Sequence, residues 1–293
     1  MDARKSFDIL VVGHFARDEI VVDGVSTHAL GGAVFYGGIA LSRLGMRVAA
    51  VTRLHPRDFP RLDDFKKAGV WVKAVEAAET SGIENTYQSA NMERRVCKPL
   101  GFAGAFTKEN MPDVDAQLIL IAPIIAGEVD LDLLRHLATR APVALDVQGF
   151  VRVSEGDSLV FKEWPDIREG LSHVTYLKVD QAEAELLTGE TDPSKALPLL
   201  ADMGASEIVM TQSSGVTVWG PDGIVSAPFT SRTLVGRTGR GDTCFSSYVA
   251  MRLTESSTRA TQIAGAVTSL KQEKPGPWSG TWEDIEEAMR RKC

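Results

Sequence analysis

The chain is short of cysteine: among its 293 residues there are three, Cys97, Cys244 and Cys293. They are odd in number, far apart, and form no CxxC or zinc-type spacing. Neither a disulfide framework nor a structural zinc site is expected. Positive charge is also scarce. Thirty-two Lys and Arg against 39 Asp and Glu leave a formal net charge of -7. Nucleic acid and acidic membranes both require a basic surface, so no such partner is expected. Long apolar runs are missing too. The longest, LILIAPIIAG from Leu118, is too short for a bilayer and is broken by Pro123. The opening MDARKSFDILVVG has no signal-peptide core or cleavage site. These absences imply a reducing, cytoplasmic setting, in which Arg240-Gly241-Asp242 is no cell-adhesion tripeptide. No GxxxxGK[ST] loop occurs, and no GxGxxG follows the first apolar run, which weakens the P-loop and Rossmann readings. The five histidines (His14, His28, His55, His136, His173) have no metal spacing.

What is present is ordinary globular composition, 44% hydrophobic and 24% charged, enough for one large α/β domain or two small ones. Strand-length apolar runs occur at 7–13, 47–54, 70–75, 118–124, 143–148, 174–180 and 207–212. The later ones are continuous and end on polar residues, as strands buried on both faces do. Helical spacing lies between them at 38–45, 58–68, 130–140, 181–188 and 193–203, then at 241–253, 258–272 and 281–291. This alternation predicts a mostly parallel sheet covered on both faces. Segments 18–29 and 82–100 alternate polar and apolar without helix, and read as edge strands or a small appended sheet. In open parallel sheets ligands bind beyond the strands' carboxyl ends. That gives weight to Asp18, Asp146, Gln148, Asp180, Thr211 and Gln212.

The segment GRTGRGD (236–242) opens a predicted helix. Gly239 and Gly241 permit backbone angles other residues avoid. Amides at a helix start point outward, and the dipole favours an anion there. Asp242 sits where a carboxylate could take a proton from a hydroxyl attacking a held phosphoryl group. It could equally cap the helix. From this loop alone the two readings balance.

Several segments together resemble the ribokinase-like (PfkB) carbohydrate kinase family. GRTGRGD is similar to its DTxGAGD element, with Gly236 in place of the first Asp and Arg240 in place of Ala. GHFARD (13–18) resembles its sugar-binding strand end. GGAVFYGGIALSRLG (31–45) resembles its glycine pair and helix, with Tyr36 replacing a substrate-binding Asn. DQAE (180–183) looks like its NxxE element, TQSSG (211–215) like its nucleotide strand end, and 263–276 like the closure of its adenine pocket. The segments at 18–29 and 82–100 fall where the family carries a β lid.

The resemblance implies one α/β domain over 1–293, a three-layer α/β/α sandwich with a mostly parallel central sheet and a small β-sheet lid. It implies ATP-dependent phosphorylation of a hydroxyl on a sugar or cyclic polyol. Asp242 would be the base, and Gly239, Arg240 and Gly241 would form the anion hole. Asp18, Gly31, Gly32, Tyr36, Gln148 and Arg152 would bind the acceptor. Asp180, Thr211, Ser213, Gly215 and Gly265 would bind nucleotide. Glu183 would serve a magnesium ion held largely through water. A monovalent cation is a further cofactor in parts of the family, and the lid offers a homodimer surface. LDVQGFVR (145–152) and GGAVFYGG look like inositol kinases of this family, which makes myo-inositol the expected acceptor. A nucleoside kinase of the same fold, with Phe15, Phe35 and Tyr36 stacking a base, is the alternative. So is a sugar sensor without activity, although it would have no need of Asp242.

Overall fold

Apolar runs set the strands, and glycine, proline and capping residues set where helices begin and stop. The computed structural model describes residues 4–88 and 91–291, with backbone alone at 87–88 and 91–95. The side chains of Arg94 and Arg95, and Cys293, therefore lie outside the described residues. The chain starts with β1 (Lys5–Val12), then β2 (Ala16–Val22), β3 (Val25–Gly31), α1 (Ala33–Arg43) and β4 (Val48–Leu54). A 3-10 segment over Pro56–Leu62 precedes α2 (Asp63–Lys67), β5 (Trp71–Glu76), β6 (Gly82–Gln88) and β7 (Asn91–Gly101). Next come β8 (Val114–Ile121), α3 (Leu131–Ala138), β9 (Val143–Asp146), α4 (Gln148–Val151), β10 (Arg152–Glu155) and β11 (Ser158–Phe161). Then follow α5 (Ile167–Leu171), β12 (Tyr176–Asp180), α6 (Gln181–Thr188), α7 (Pro193–Asp202), β13 (Glu207–Thr211), β14 (Gly215–Gly220) and β15 (Gly223–Pro228). The last three helices are α8 (Arg240–Met251), α9 (Ser257–Gln272) and α10 (Trp282–Arg290).

Nine strands form the main sheet in the order β15-β14-β13-β12-β9-β8-β1-β4-β5. From β13 to β5 every pair is parallel, and β14 and β15 are added antiparallel. The two-residue period of a strand divides its side chains between two cores. Ile9 and Val11 enter one with α1, α8, α9 and α10; Leu10 and Val12 enter the other with α3 and α7. Each fully buried aliphatic side chain contributes about 1.5–3 kcal/mol. Both faces therefore need helical cover, which accounts for the layered α/β architecture.

The segments at 18–29 and 82–100 form a separate sheet, in the order β3-β2-β6-β7. Its outer pairs are antiparallel and the central β2–β6 pair is parallel. A small third core of Ala16, Ile83, Cys97, Ile124, Ile125 and Leu159 joins it to the body. Cys97 and Cys244 are both buried and free.

Three local expectations change. The helix expected at 58–68 is a 3-10 segment followed by α2, because Pro60 lacks the amide an α-helix would use. Helix α1 begins at Ala33, not 38; Gly37 and Gly38 suggest a loop by propensity, but Gly37 packs closely on Ser246 of α8 and Gly38 lies beside Phe65 of α2. The hairpins β10–β11 and β14–β15 were not foreseen, although Pro221-Asp222-Gly223 is a turn sequence and Gly223 has φ 80°. Among the described residues no helix is long and apolar enough to cross a membrane.

Candidate active site

Because β9, β12 and β13 are parallel, their polar C-terminal residues Asp146, Asp180 and Thr211 emerge at the same edge. Helix α8 starts beside them. Its N-cap is Gly239, at φ 79°, with no side-chain cap hydrogen bond. A side chain on Gly239 would run into the Tyr36 ring, so only glycine fits there. Asp242 lies in the first turn and makes no capping hydrogen bond. A Cβ on Gly241 would lie 3.8 Å from Lys178 Nζ and 3.9 Å from Thr211 Oγ1. The helix start therefore faces a buried ammonium.

Lys178 was not singled out from the sequence. It stands in β12 between Leu177 and Val179, and a charge inside an apolar strand was the available signal. Its Nζ donates to Asp146 Oδ1 at 3.1 Å and Glu183 Oε2 at 3.4 Å. Burial alone would favour a neutral amine. The carboxylates of Asp146, Glu183, Asp180 and Asp242 outweigh it and raise the pKa.

Asp242 has the opposite problem. Burial raises its carboxyl to about 6, and the charges of Asp146 and Asp18 add to this, while Lys178 and Lys271 oppose it. It is ionised near neutral pH yet basic enough to accept a proton.

Asp18 belongs to lid strand β2, where its Oδ1 accepts from Ile83 N at 3.0 Å. Its other oxygen lies against Gly31, where no side chain would fit. Gly32 sits on the His14 carbonyl and starts α1. Gln148 N donates to Asp146 Oδ1 at 3.0 Å, and Gln148 Oε1 accepts from buried Arg152 at 3.0 Å. The strand end after β9 thus carries one connected polar chain from Lys178 to Arg152. Tyr36 is 3% exposed and supports Gly239 from below, so it is not an open pocket wall. Burial raises the pKa of its hydroxyl, and the charges of Asp242 and Asp18 add to this.

Four residues assigned to nucleotide and metal have the following surroundings. Gly215 and Gly265 both pack closely on Ala227 and Pro228 of β15. Ser213 is exposed in the β13–β14 turn. Glu183 is 0% exposed and forms a capping box with Asp180, its Oε2 accepting from Asp180 N at 2.6 Å. Burial, then the Asp180 charge, raises its pKa despite Lys178. Its Oε1 is buried without a partner. Among the described residues no group of three or more His, Cys, Asp and Glu could hold a metal unaided.

A second buried lysine was also unforeseen. Lys271, at the end of α9, donates to the Gly236 carbonyl at 2.6 Å. Its ammonium lies 5.1 Å from the Tyr36 ring centroid. Burial lowers its pKa to about 8, with Asp242 opposing. His14 is buried; burial pushes its pKa down to about 3, and its Nδ1 pairs with Ser81 Oγ at 2.7 Å. It is a neutral structural residue.

The arrangement can hold a tetrahedral anion at the helix start, beside one ammonium, with a carboxylate of raised pKa next to it. A family model described as pfkB family carbohydrate kinase matches residues 10–284. A solved pyrophosphate-dependent kinase of the ribokinase family, complexed with a pyrophosphate analog and myo-inositol, is 34% identical. It superposes with a TM-score of 0.88 over 95% of this chain and 99% of its own. A cytidine kinase of Thermococcus kodakarensis is 25% identical over 261 residues, covering 83% of this chain and 87% of its own. Arabidopsis thaliana ribokinase shares the fold, with 17% identity and a TM-score of 0.76 over 98% of this chain and all of its own.

Proposed function

Because the chain belongs to the pfkB family of carbohydrate kinases, we propose that it phosphorylates a hydroxyl of myo-inositol with pyrophosphate as donor. The supporting observation is the meeting of Asp242, the Gly239–Gly241 helix start and Lys178 at one strand edge. The acceptor and donor follow the 34% identical structure that carries myo-inositol and a pyrophosphate analog.

Asp18 from the lid, with Gln148 and Arg152 from the main sheet, orients the acceptor hydroxyls. Inositol offers a ring of neutral hydroxyls, which suits a carboxylate acceptor beside an amide that both donates and accepts. Asp242 removes the proton of the attacking hydroxyl. The new bond joins that oxygen to the transferring phosphorus, and the bridging P–O bond breaks. Phosphate leaves when pyrophosphate is the donor. Amides at Gly239 to Asp242 and the Lys178 ammonium stabilise the charge on the transferring group. Magnesium, when bound, would supply charge neutralisation to the donor. Asp180 and the orphaned Oε1 of Glu183 suit an ion held mainly through phosphate and water. The lid and main sheet act as one kinase unit, closing to exclude water as a competing acceptor.

Pyrophosphate lacks a base and ribose, so charge must supply its binding. Lys178 stands at the helix start, and Arg237, Arg240 and Lys271 lie on or under the same loop. ATP remains the donor expected from the family motif. The cytidine kinase match favours a nucleoside as the rival acceptor. The test is turnover of myo-inositol, ribose, fructose and cytidine, each with pyrophosphate and with ATP. Inositol with pyrophosphate should have the highest kcat/KM. A tenfold lead by another acceptor, about 1.4 kcal/mol in transition-state binding, overturns the acceptor; a tenfold lead by ATP overturns the donor.

A further inference from the structure

We propose that Lys271 is a positioning residue for phosphoryl transfer: its ammonium holds the 236–239 loop, directly at Gly236 and through the Tyr36 ring at Gly239, and places positive charge behind the anion site. This rests on the kinase reading of that site.

The geometry comes from four contacts. Lys271 is 2% exposed, and its Nζ donates directly to the Gly236 carbonyl at 2.6 Å. The Gly236 amide donates to the Gln272 carbonyl at 2.8 Å, so this residue is tied to the α9 terminus in both directions. A Cβ at Gly236 would collide with the Lys274 carbonyl and lie 2.7 Å from that of Lys271. Only glycine can lie this close to the end of α9. The other end of the loop is held indirectly. The Lys271 ammonium sits over the Tyr36 ring, and that ring fills the space beneath Gly239. Gly239 is the left-handed residue from which α8 starts. One side chain therefore sets where the loop leaves α9 and what supports the turn into α8.

A buried lysine is costly unless something favours its charge. Three groups do so here. The Gly236 carbonyl accepts its hydrogen bond, the Tyr36 face attracts the cation, and the last turn of α9 presents its negative dipole end. Asp242 on α8 also acts on it through space. The groups acting on Asp242 are Asp146, Lys178, Asp18 and Lys271, with the Tyr36 hydroxyl within its field. Lys271 is one of two ammonium groups among them that lower its pKa. Removing it raises the pH at which Asp242 ionises. It also removes positive charge from beneath an incoming phosphate, which preorganised sites use to stabilise the transferring group.

The test compares wild-type protein with Lys271→Met and Lys271→Arg. Three measurements apply: the pH profile of kcat, the KM of each substrate, and calorimetric titration with inorganic sulfate. Sulfate keeps its charge over the range and needs neither acceptor nor turnover. Lys271→Met should lower kcat about a hundredfold, move the acid limb of the profile upward, weaken sulfate binding at least tenfold, and leave the acceptor KM within threefold. Lys271→Arg should return the acid limb toward its wild-type position. A Lys271→Met enzyme with an unmoved limb and unchanged sulfate affinity would reduce Lys271 to a packing residue. If Lys271→Met does not fold, Lys271→Arg decides: retained sulfate binding supports the charge, and a tenfold loss overturns it. A wild-type protein without kinase turnover sinks the functional reading alone, because the sulfate comparison still decides Lys271.

Discussion

Asp242 carries the sharpest expectation. Asp242→Asn keeps the size of the side chain and removes its proton affinity, so kcat should fall on the order of a hundred- to ten-thousand-fold. Donor binding, measured by calorimetry, should change little; turnover near that of wild type would remove Asp242 from the chemistry. A base must be ionised to work, and burial raises this carboxyl to about 6. Activity should therefore fall as pH drops through about 6, and a limb near 4 would mean that Asp242 is solvated. Asp242 was legible in the sequence through the resemblance of GRTGRGD to a family motif, since the loop alone left base and helix cap in balance. Lys178 was not. Its role depends on Asp146, 32 residues away, and on Glu183 of the next helix. No local pattern contains that pairing.

The turn from Gly239 into α8 is where an element decides activity. Gly239→Ala would place a Cβ at φ 79° and against the Tyr36 ring. The expected loss is roughly 1–3 kcal/mol of stability, read by urea denaturation, with kcat down more than tenfold. An alanine variant with unchanged stability would show that the loop relaxes freely. The strand ends of β1 and β8 are joined by another device. Glu128 is buried, accepts from Ile124 N at 2.8 Å and Ile125 N at 2.9 Å, and lies 3.3 Å from His14 Nδ1. Burial raises its pKa to about 8, with the backbone amides opposing. The fold thus keeps a proton that the unfolded chain releases near 4.5. Stability from this group is full below that value and lost as pH rises toward 8, at no more than about 1.4 kcal/mol per pH unit. His14, with its lowered pKa, acts in the opposite sense only below about 6.5. Between pH 7 and 8 the melting temperature of wild type should fall more than that of Glu128→Gln; parallel curves would refute the assignment.

For the molecule as a whole, the acceptor reading joins the lid to the main sheet. Asp18 stands on β2, and Gln148 and Arg152 follow β9. A ligand held by both should stabilise the fold, by about 2.7 kcal/mol at a hundred times Kd. Thermal melts with myo-inositol should move upward in wild type. In Asp18→Ala that shift should shrink, while the shift caused by pyrophosphate survives. Equal loss of both shifts would place Asp18 outside the acceptor pocket.

Periodicity, composition and motif order were enough to expect a mostly parallel sheet, its helical cover, the separate lid strands and the glycine-flanked acid. Those features follow from local chemistry: two-residue and 3.6-residue periods, the amides of a helix start, and the exclusion of side chains from tight turns. The strand order, the β14–β15 extension and the interior packing of Gly215 and Gly265 were settled only in three dimensions. So was the pairing of Lys178 with Asp146 and Glu183, and of Lys271 with Gly236 and Tyr36. A buried charge is determined by what surrounds it, and those neighbours come from segments far apart in the chain. Their fields add only once the sheet edge and the two helices have been brought together.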